Sequence, residues 1–489
     1  MGKRKKLSAS EIDGVAYHRA RWWQIALGQT NGLISSAFGV MIGVISYLAN
    51  SGYGVVVSVV GIILTVSRVF DGLIDPFIAL VIDKMDTRFG KIRIMMTIGF
   101  LIRTFAVFML FVWGSGKFGI VFFIVMYLVY ILGNSIGDIA ANMIGPALSN
   151  DPKQRPAVFY WGIAFNAFGA IFFNLIVTLA ILPVFGNQYT NEMLAMTCIV
   201  YVIVALVFHI LCCIGITGID RPETFESIAE EEVGFCDMWD FLKSNRPFQM
   251  YVIAAVSDKI ANQASSQAVV STIFFGILMG NIQFGSILNV LTALPAVLLT
   301  FIGARYAGKH GAKKGVVVWT WVATIFAAAS MLFCIATDMR SILVTPVLLV
   351  IFVVLRLGME FGRLNVSTVN GAMRADIIDY ELDRSGKYLS AVVTSTYNFI
   401  DQIVSSLGML ITTSLLALIG YTHTMPQPTD DPTTPLKAVG IIIIYVLPIL
   451  GWLCTIVAMK FYTLGKEEMV HVQKRIEEKK KHLQEHTAQ

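Results

Sequence analysis

Twelve apolar stretches, each close to the length of a membrane-spanning helix, dominate this 489-residue sequence. About 20 predominantly apolar residues are needed for a helix to cross the hydrocarbon core of a bilayer. The stretches cover residues 22–49, 55–82, 92–113, 119–148, 158–184, 193–216, 249–279, 284–306, 315–337, 343–372, 388–420 and 437–462. Only 14% of the residues are charged and the mean hydropathy is +0.70, whereas about a quarter of an ordinary soluble chain is charged. The sequence therefore predicts an all-α membrane protein with twelve transmembrane helices.

The basic side chains give an independent test of this count. With twelve helices, 29 of the 37 lysines and arginines fall on one side of the membrane and three on the other, while five lie inside helices. Cytoplasmic loops carry such an excess of Lys and Arg. We therefore expect a multi-pass protein of the cell membrane with both termini in the cytoplasm. The formal charge of +5 reflects this topology and contact with anionic membrane lipids, not binding to nucleic acid.

The order of the segments predicts two pseudo-symmetric six-helix bundles. DKMDTRFGK after the second helix has a counterpart in ARYAGKHGAKK after the eighth, and MIGPALSND after the fourth resembles TVNGAMRAD after the tenth. Parallel repeats related by an axis along the membrane normal have this arrangement. The acidic segment between the halves fits a solvated connector. The predicted parts are a cytoplasmic tail (1–21), an N-terminal bundle (22–216), a cytoplasmic linker (217–248), a C-terminal bundle (249–462) and a second cytoplasmic tail (463–489), whose apolar spacing predicts an amphipathic helix.

The second predicted helix carries three charges at bilayer depth. Arg68, Asp71 and Asp75 stand at i, i+3 and i+7 and therefore share one face of the helix. A charge there costs roughly 2.5–3.5 kcal/mol on insertion scales, so such residues usually have a function. Two carboxylates one turn apart favour a shared proton or a bound hard cation. The alternative is an Arg68–Asp71 ion pair that only holds helices together.

The seventh and tenth helices carry a second charged group. Arg356, Glu360 and Arg363 lie on one face of the tenth helix, and Asp258 and Lys259 lie in a polar part of the seventh. The arginines could clamp a carboxylate of the substrate. An internal ion pair with Glu360 explains the same pattern, and the sequence leaves both interpretations open.

Enzymes are a class that the sequence disfavours. His209 stands alone in the sixth helix, no cluster of Cys and His occurs, and no glycine-rich phosphate motif is present. The six cysteines show no paired spacing and fit packing thiols. We expect no catalytic residue and no cofactor beyond a coupling ion.

Several of these motifs together resemble a known transporter family. The pattern Arg-x-x-Asp-x-x-x-Asp-Pro in SRVFDGLIDP, followed by Asp83 and the loop 87–91, is similar to the glycoside-pentoside-hexuronide:cation symporters of the major facilitator superfamily, typified by the melibiose carrier. GDIAANMIGPALSND and ADIIDYELDRSGK extend the resemblance over most of the chain. The resemblance implies the major facilitator fold and symport by alternating access.

The resemblance also implies roles for particular residues. It implies that Asp71, Asp75 and the hydroxyl residue Ser135 bind the coupling cation, and that Asp138 hydrogen-bonds sugar hydroxyls. Ser135 and Asp138 are three residues apart, so the cation would lie beside the substrate. We expect Arg68 to tune the two acids. The alternative for Asp138 is a partner for Arg103 or another basic residue.

Other positions depart from the family pattern. Where melibiose carriers have an acidic sugar ligand on the first helix, this chain offers Asn31 and Ser35. Gln402, beside Asp401, replaces a lysine of the eleventh helix, and Asn142 replaces an aromatic sugar platform. The remaining candidate substrate residues are Lys259, Arg356 and Glu360. These changes preserve the transport class but not the melibiose specificity.

Charges at the cytoplasmic ends of the helices predict a gate. Asp83, Arg88, Gly90 and Lys91 follow the second helix, and Arg384 follows the tenth. Charge pairs between helix ends would hold one conformation, and breaking them would shift the population.

The predicted function is a secondary active transporter. We expect symport of a sugar, glycoside or hexuronide with Na⁺ or H⁺ by a monomer. The alternatives are a carrier of another amphipathic or lipid-like substrate, and an uncoupled transporter or sensor.

Overall fold

The computed structural model describes residues 19–84, 90–149, 155–220, 241–385 and 390–487. Helices cover all twelve predicted stretches, and the main α-helix of each is numbered α1 to α12 here. The first six are α1 (Asn31–Gly43), α2 (Val57–Lys84), α3 (Lys91–Phe108), α4 (Ile120–Asn142), α5 (Arg155–Leu175) and α6 (Asn191–Ile216). The others are α7 (Arg246–Ser265), α8 (Ile282–His310), α9 (Ala312–Ala336), α10 (Pro346–Ser385), α11 (Ser390–Leu418) and α12 (Leu447–Phe461). A final helix, α13 (Lys466–Thr487), follows them.

Shorter helical pieces complete several spans. Trp22–Gly28 precedes α1, Ile144–Leu148 follows α4, and Thr434–Ile441 begins the last span. Five spans contain a π-helical piece: Leu48–Gly52, Met109–Trp113, Ile176–Ile181, Thr272–Leu278 and Ile442–Val446. Wider turns of this kind leave the chain helical, so each span keeps its internal backbone hydrogen bonds, as a lipid environment requires.

Ten helical stretches of the described chain are long and apolar enough to cross a membrane. The other two predicted spans are the seventh, which is interrupted after Ser265 and resumes at Ala268–Ser271, and the tenth. The tenth is a helix of 40 residues that carries a charged group in its middle. The fold is therefore an all-α membrane fold, as predicted, and the seventh and tenth spans are the two that bear the second predicted charged group.

Contacts divide the chain into two compact units. The first comprises Met1–Val55 and Leu73–Ala229, and the second comprises Val56–Gly72 and Glu230–Gln489. The first half of α2 is thus grouped with the second unit, where the Thr65 hydroxyl donates to the Ser406 carbonyl at 3.1 Å. The predicted division into six-helix bundles, with its linker and tails, stays a prediction.

In the first unit, α3 and α4 cross with their backbones in contact. A Cβ atom on Gly99 would lie 2.6 Å from the Gly137 amide nitrogen and 2.8 Å from the Gly133 carbonyl oxygen. Gly133 and Gly137 form a Gly-x-x-x-Gly pair, which permits such an approach in membrane helices. The crossing brings Arg103 of α3 to the face of α4 that carries Asp138.

In the second unit, α13 packs onto the long end of α10. Val472 is buried, and Arg475 Nε donates to Asp383 Oδ2 at 2.7 Å. Gln473 Nε2 donates to Asp379 Oδ2, also at 2.7 Å. The prediction of an amphipathic helix in this tail is confirmed, and the helix is folded onto the bundle.

Candidate substrate and cation sites

Asp138 is the best-defined polar group of the first unit. Asn134 Nδ2 donates to Asp138 Oδ2 at 2.9 Å, and the Ser35 hydroxyl donates to Asp138 Oδ1 at 3.5 Å. Asn134 is one helical turn before Asp138 on α4, while Ser35 comes from α1. The side chain is half-buried, so these bonds orient the carboxylate and leave lone pairs for another donor. Two predicted substrate residues, Ser35 and Asp138, are thus in contact.

Arg103 supplies a buried positive charge near this carboxylate. Its side chain is 2% exposed, and its guanidinium lies 4.4 Å from the centre of the Phe38 ring. Arg103 and Asp138 interact electrostatically but form no ion pair within 4 Å in the described chain. Arg103 Nε and Nη1 have no hydrogen-bond partner among the described residues. The arginine therefore balances the charge of Asp138 while the carboxylate is not occupied by a salt bridge.

An aromatic stack holds Arg103 in place. Phe100 is stacked on the His209 ring with centroids 4.5 Å apart, and Arg103 lies 5.7 Å from the Phe100 centroid. His209 Nε2 lies 3.1 Å from the Thr97 hydroxyl. The single histidine of the sixth helix thus supports the packing around Arg103, a role for which the sequence contained no pattern.

The predicted cation residues occupy α2 and α4. Asp75 is close enough to Asp138 for their charges to interact, and Ser135 is 4% exposed. Asp71 is half-buried in the part of α2 that belongs to the second unit. Asp75 and Asp138 therefore form a pair of neighbouring acids in the first unit. The complete cation set of Asp71, Asp75 and Ser135 stays a prediction.

Two other predicted substrate residues, Asn31 and Asn142, belong to the same helices as Ser35 and Asp138. Asn31 begins α1, and Asn142 is exposed at the end of α4. In the described chain neither of them hydrogen-bonds Asp138. Their assignment to the substrate stays a prediction.

In the second unit, Arg68 is associated with α11. Its charge interacts with Asp401, as do the charges of Lys259 and Arg374. Asp401 Oδ1 is buried and has no hydrogen-bond partner among the described residues. Next to it, Gln402 Oε1 would lie 2.5 Å from a Cβ atom on Gly72. The predicted residues Asp401 and Gln402 thus lie beside the half of α2 that carries Arg68, and the charge of Lys259 acts on Asp401.

The charged face of α10 forms an internal ion pair. Glu360 Oε2 accepts from Arg363 Nη2 at 2.7 Å and from Arg363 Nε at 2.9 Å, while Arg363 Nη1 donates to Asn262 at 3.2 Å. Arg356 is 8% exposed, its charge interacts with Glu360, and its Nε has no hydrogen-bond partner in the described chain. All four residues line a cavity of about 210 Å³. The cluster has two positive charges and one negative charge, so one positive charge is in excess.

The structure describes some of the predicted gate residues and not others. Gly90, with φ 94°, precedes Lys91 at the start of α3 and contacts Asp220. Arg384 ion-pairs with Glu381 at 3.0 Å and donates to the Ser244 carbonyl at 2.8 Å, both within the second unit. Arg88 and the side chain of Asp83 lie outside the described residues. A gating role for these residues stays a prediction.

Asp220 caps a helix, a structural role that sequence reasoning missed. Its carboxylate accepts from the backbone amides of Ile92 at 3.1 Å and Arg93 at 2.9 Å, and from Arg93 Nε at 3.3 Å. It is 2% exposed. A carboxylate at a helix N-terminus satisfies amides that have no partner within the helix. Asp220 therefore fixes the start of α3, although its sequence context was that of a linker.

The helices are arranged as in a solved transporter structure. The fold matches the nucleoside transporter NupG at 12% identity with a TM-score of 0.58, covering 91% of this chain and all of that one. The molecule therefore has the major facilitator fold, as predicted.

The family follows from the sequence match. Residues 28–466 match the family described as MFS/sugar transport protein, and the chain belongs to this family. The glucuronide carrier protein homolog of Escherichia coli K12 is 24% identical over 484 residues, covering 94% of this chain and 96% of that protein. The isoprimeverose transporter of Lactiplantibacillus pentosus is 24% identical over 416 residues, covering 84% and 82%. The predictions of the family and of a multi-pass membrane transporter are confirmed.

Proposed function

We propose that this protein carries a sugar, glycoside or hexuronide across the cell membrane together with Na⁺ or H⁺. The observation that supports this most is the neighbouring pair of acids in the first unit. Asp138 is held by Ser35 and Asn134 and has lone pairs available for substrate hydroxyls, while the charge of Asp75 acts on it. A proton or cation at Asp75 would reduce this repulsion and so favour substrate binding at Asp138.

The repulsion between Asp75 and Asp138 would couple binding of the cation to binding of the substrate. With Asp75 ionised, two negative charges act on each other inside a low-dielectric bundle, which disfavours a loaded carrier. When Asp75 binds a proton or, with Asp71 and Ser135, a cation, the charge is neutralised and the substrate can bind. Each ligand raises the affinity for the other, as linkage requires. We further propose that both termini are cytoplasmic, that the protein is a monomer, and that the predicted gate residues control access from the cytoplasm.

The names of two relatives support the substrate class. One relative is named a glucuronide carrier homolog and another an isoprimeverose transporter. The excess positive charge of Arg356 supports an acidic group on the substrate, because guanidinium binds carboxylate in a bidentate manner. We therefore include a hexuronide among the candidate substrates.

Uptake into proteoliposomes tests the proposal. A panel of labelled sugars is offered under an imposed Na⁺ or pH gradient, and Asp75→Asn is compared with Asp338→Asn, an exposed acid outside the proposed site. We expect Asp75→Asn to abolish gradient-driven accumulation and to spare exchange, and Asp338→Asn to behave as the wild type. Unchanged accumulation in Asp75→Asn would remove Asp75 from the mechanism, and transport insensitive to either gradient would contradict coupling.

A second comparison tests the acidic substrate. Uptake of a neutral glycoside is measured against that of the corresponding uronic acid, in the wild type and in Arg356→Gln. We expect preference for the acid, and loss of this preference in the variant. Preference of the wild type for the neutral glycoside would contradict a hexuronide and leave glycoside symport as the proposal.

A further inference from the structure

A second polar cavity of the second unit is not used in the proposed cycle, although Lys259, a predicted substrate residue, lines it. It has a volume of about 250 Å³ and is lined by three basic residues (Lys259, Arg363 and Arg374), the polar residues Asn262, Ser367 and Asn370, and also Gly371 and Tyr397. Water occupies about 30 Å³ per molecule in the liquid, so the cavity has room for a small ligand. We call it the basic chamber. No acidic side chain lines it among the described residues.

The helices α7, α10 and α11 build the basic chamber. Five lining positions of α10, from Arg363 to Arg374, are spaced at i, i+4, i+7, i+8 and i+11 and therefore share one face. Lys259 projects from α7 and Tyr397 from α11. Because all of these residues stand on regular helices, the positive side chains are directed to one space by the backbone.

Two of the three cations have nitrogens that the protein leaves available. Arg374 Nε donates to the Tyr251 hydroxyl at 3.2 Å, and the guanidinium lies 4.0 Å from the centre of the Tyr397 ring. Neither terminal nitrogen of Arg374 has an acceptor in the described chain, and Lys259 donates no hydrogen bond to any described residue. Stacking on Tyr397 fixes the plane of the guanidinium without using its outer N–H groups.

The remaining charges leave a positive surplus in the basic chamber. Glu360 pairs with Arg363. Asp401 acts electrostatically on Lys259 and Arg374 and also on Arg68, so its single negative charge is shared among three cations. Of the described side chains around the chamber, cations outnumber acids. A partly buried cation without a counter-charge is costly, and a bound anion would offset this cost.

One acceptor in the chamber is also unused. Asn370 Oδ1 is buried and has no hydrogen-bond partner among the described residues. A buried amide oxygen without a partner costs about 1–3 kcal/mol. A ligand that brings a hydroxyl, or a water that accompanies an anion, would satisfy it.

We propose that the basic chamber is a binding site for a small oxyanion, held by Arg374 and Lys259, with Asn370 accepting from a hydroxyl or water bound next to it. The outer N–H groups of Arg374 match the two oxygens of a carboxylate, sulfate or phosphate, and Lys259 adds a point charge. A halide has a single acceptor atom, so it would bind the two outer N–H groups of Arg374 less strongly than an oxyanion with two oxygens.

The oxyanion has two possible sources. One is a free inorganic anion, and the other is an acidic group of the transported molecule on its way through the second unit; only the second source rests on the proposed function. Arg363 and Asn262 line both this chamber and the cavity at Arg356. A carboxylate could therefore pass from one cavity to the other along Arg363.

Thermal unfolding of the purified full chain in lipid nanodiscs tests the site. Melting is recorded against sodium sulfate, and the reference is sodium chloride at equal sodium concentration, brought to equal ionic strength with choline chloride. We expect a saturable rise of the melting temperature with sulfate beyond the chloride reference. In Arg374→Gln and Lys259→Gln the midpoint concentration should rise at least about tenfold, because charge-assisted hydrogen bonds are the stronger ones. Arg340→Gln, which removes an exposed arginine of the same unit, should match the wild type.

Two further measurements make the test decisive. Asn370→Ala is a smaller change, expected to raise the midpoint a few-fold, and it tests the chamber even if a charge variant does not fold. Glucuronate and methyl glucoside replace sulfate in a second series. Saturable stabilisation by sulfate identifies a free anion as a ligand, while stabilisation by glucuronate alone identifies the acidic group of a substrate. No saturable effect of either anion, or an equal effect in the wild type and the Arg374 and Asn370 variants, would overturn the proposal, whereas failure of gradient-driven uptake would not.

Discussion

The crossing of α3 and α4 makes a quantitative prediction for Gly99→Ala. The added methyl group would lie 2.6 Å from the Gly137 nitrogen and 2.8 Å from both the Gly137 Cα and the Gly133 oxygen. All three are backbone atoms, which cannot rotate away as a side chain can. Carbon atoms attract each other best at about 3.5–4.0 Å, so the two helices must separate by roughly 1 Å.

The expected loss of stability follows from this separation. Overpacking of a well-packed contact costs typically about 1–3 kcal/mol, and in a membrane close packing is a main source of helix association. The change also moves Arg103, four residues along α3, away from the Asp138 carboxylate. We therefore expect both a lower melting temperature and weaker uptake.

Gly39→Ala provides a matched control. Gly39 lies within α1 of the same unit, and a Cβ atom there would meet nothing within 4 Å. Because alanine is favoured over glycine in a helix by up to about 1 kcal/mol, this variant should be as stable as the wild type or slightly more stable. Both variants are purified in the same detergent, and their thermal unfolding and uptake are compared. If the melting temperature of Gly99→Ala equals or exceeds that of Gly39→Ala, α3 and α4 do not cross as closely as the structure indicates.

Three further predictions concern charged positions. Asp138→Asn leaves Arg103 without its counter-charge, so we expect counterflow of the substrate to fall by at least tenfold; a wild-type rate would contradict substrate binding there. Asp220→Ala removes the carboxylate that caps α3 and should destabilise the protein by about 1–3 kcal/mol, which denaturation in detergent measures and an unchanged midpoint would refute. Burial and the neighbouring Asp379 raise the pKa of Asp376, on the part of α10 that extends beyond its predicted membrane span, to about 6. Since the folded state then holds this proton more tightly than the unfolded state, stability should decrease as pH rises from about 4 to 6, by roughly 1–2 kcal/mol after solvent screening. Asp376→Asn should reduce this decrease in melting curves recorded across that range, and an identical pH profile in wild type and variant would exclude Asp376 as its source.

The membrane helices were predictable because composition alone determines them. A stretch such as Asn191–Ile216 is apolar on every side, and the twelve predicted stretches all contain helix. The breaks inside the spans were not predictable. Gln267, for example, interrupts the seventh span with an extended backbone, and neither glycine nor proline marks the site. Such breaks depend on the packing of neighbouring helices.

The sites were predictable only where their residues lie on one helix. Helical spacing correctly grouped Arg356, Glu360 and Arg363 on one face, since residues of one helix have a fixed geometry. It could not show that Arg363 is paired with Glu360, nor that Arg374 is stacked on Tyr397. Contacts between helices depend on the tertiary structure, which a single sequence does not encode in any local pattern.

The docking of α13 has a practical consequence for labelling experiments. A fluorophore on an exposed position of this helix, such as His471, would be attached to a rigid part of the second unit, because Arg475 and Val472 fasten the helix to α10. Its anisotropy would then report the tumbling of that unit and not the motion of a free tail. Measured on single nanodiscs, this anisotropy would report any rotation of the second unit during a transport cycle.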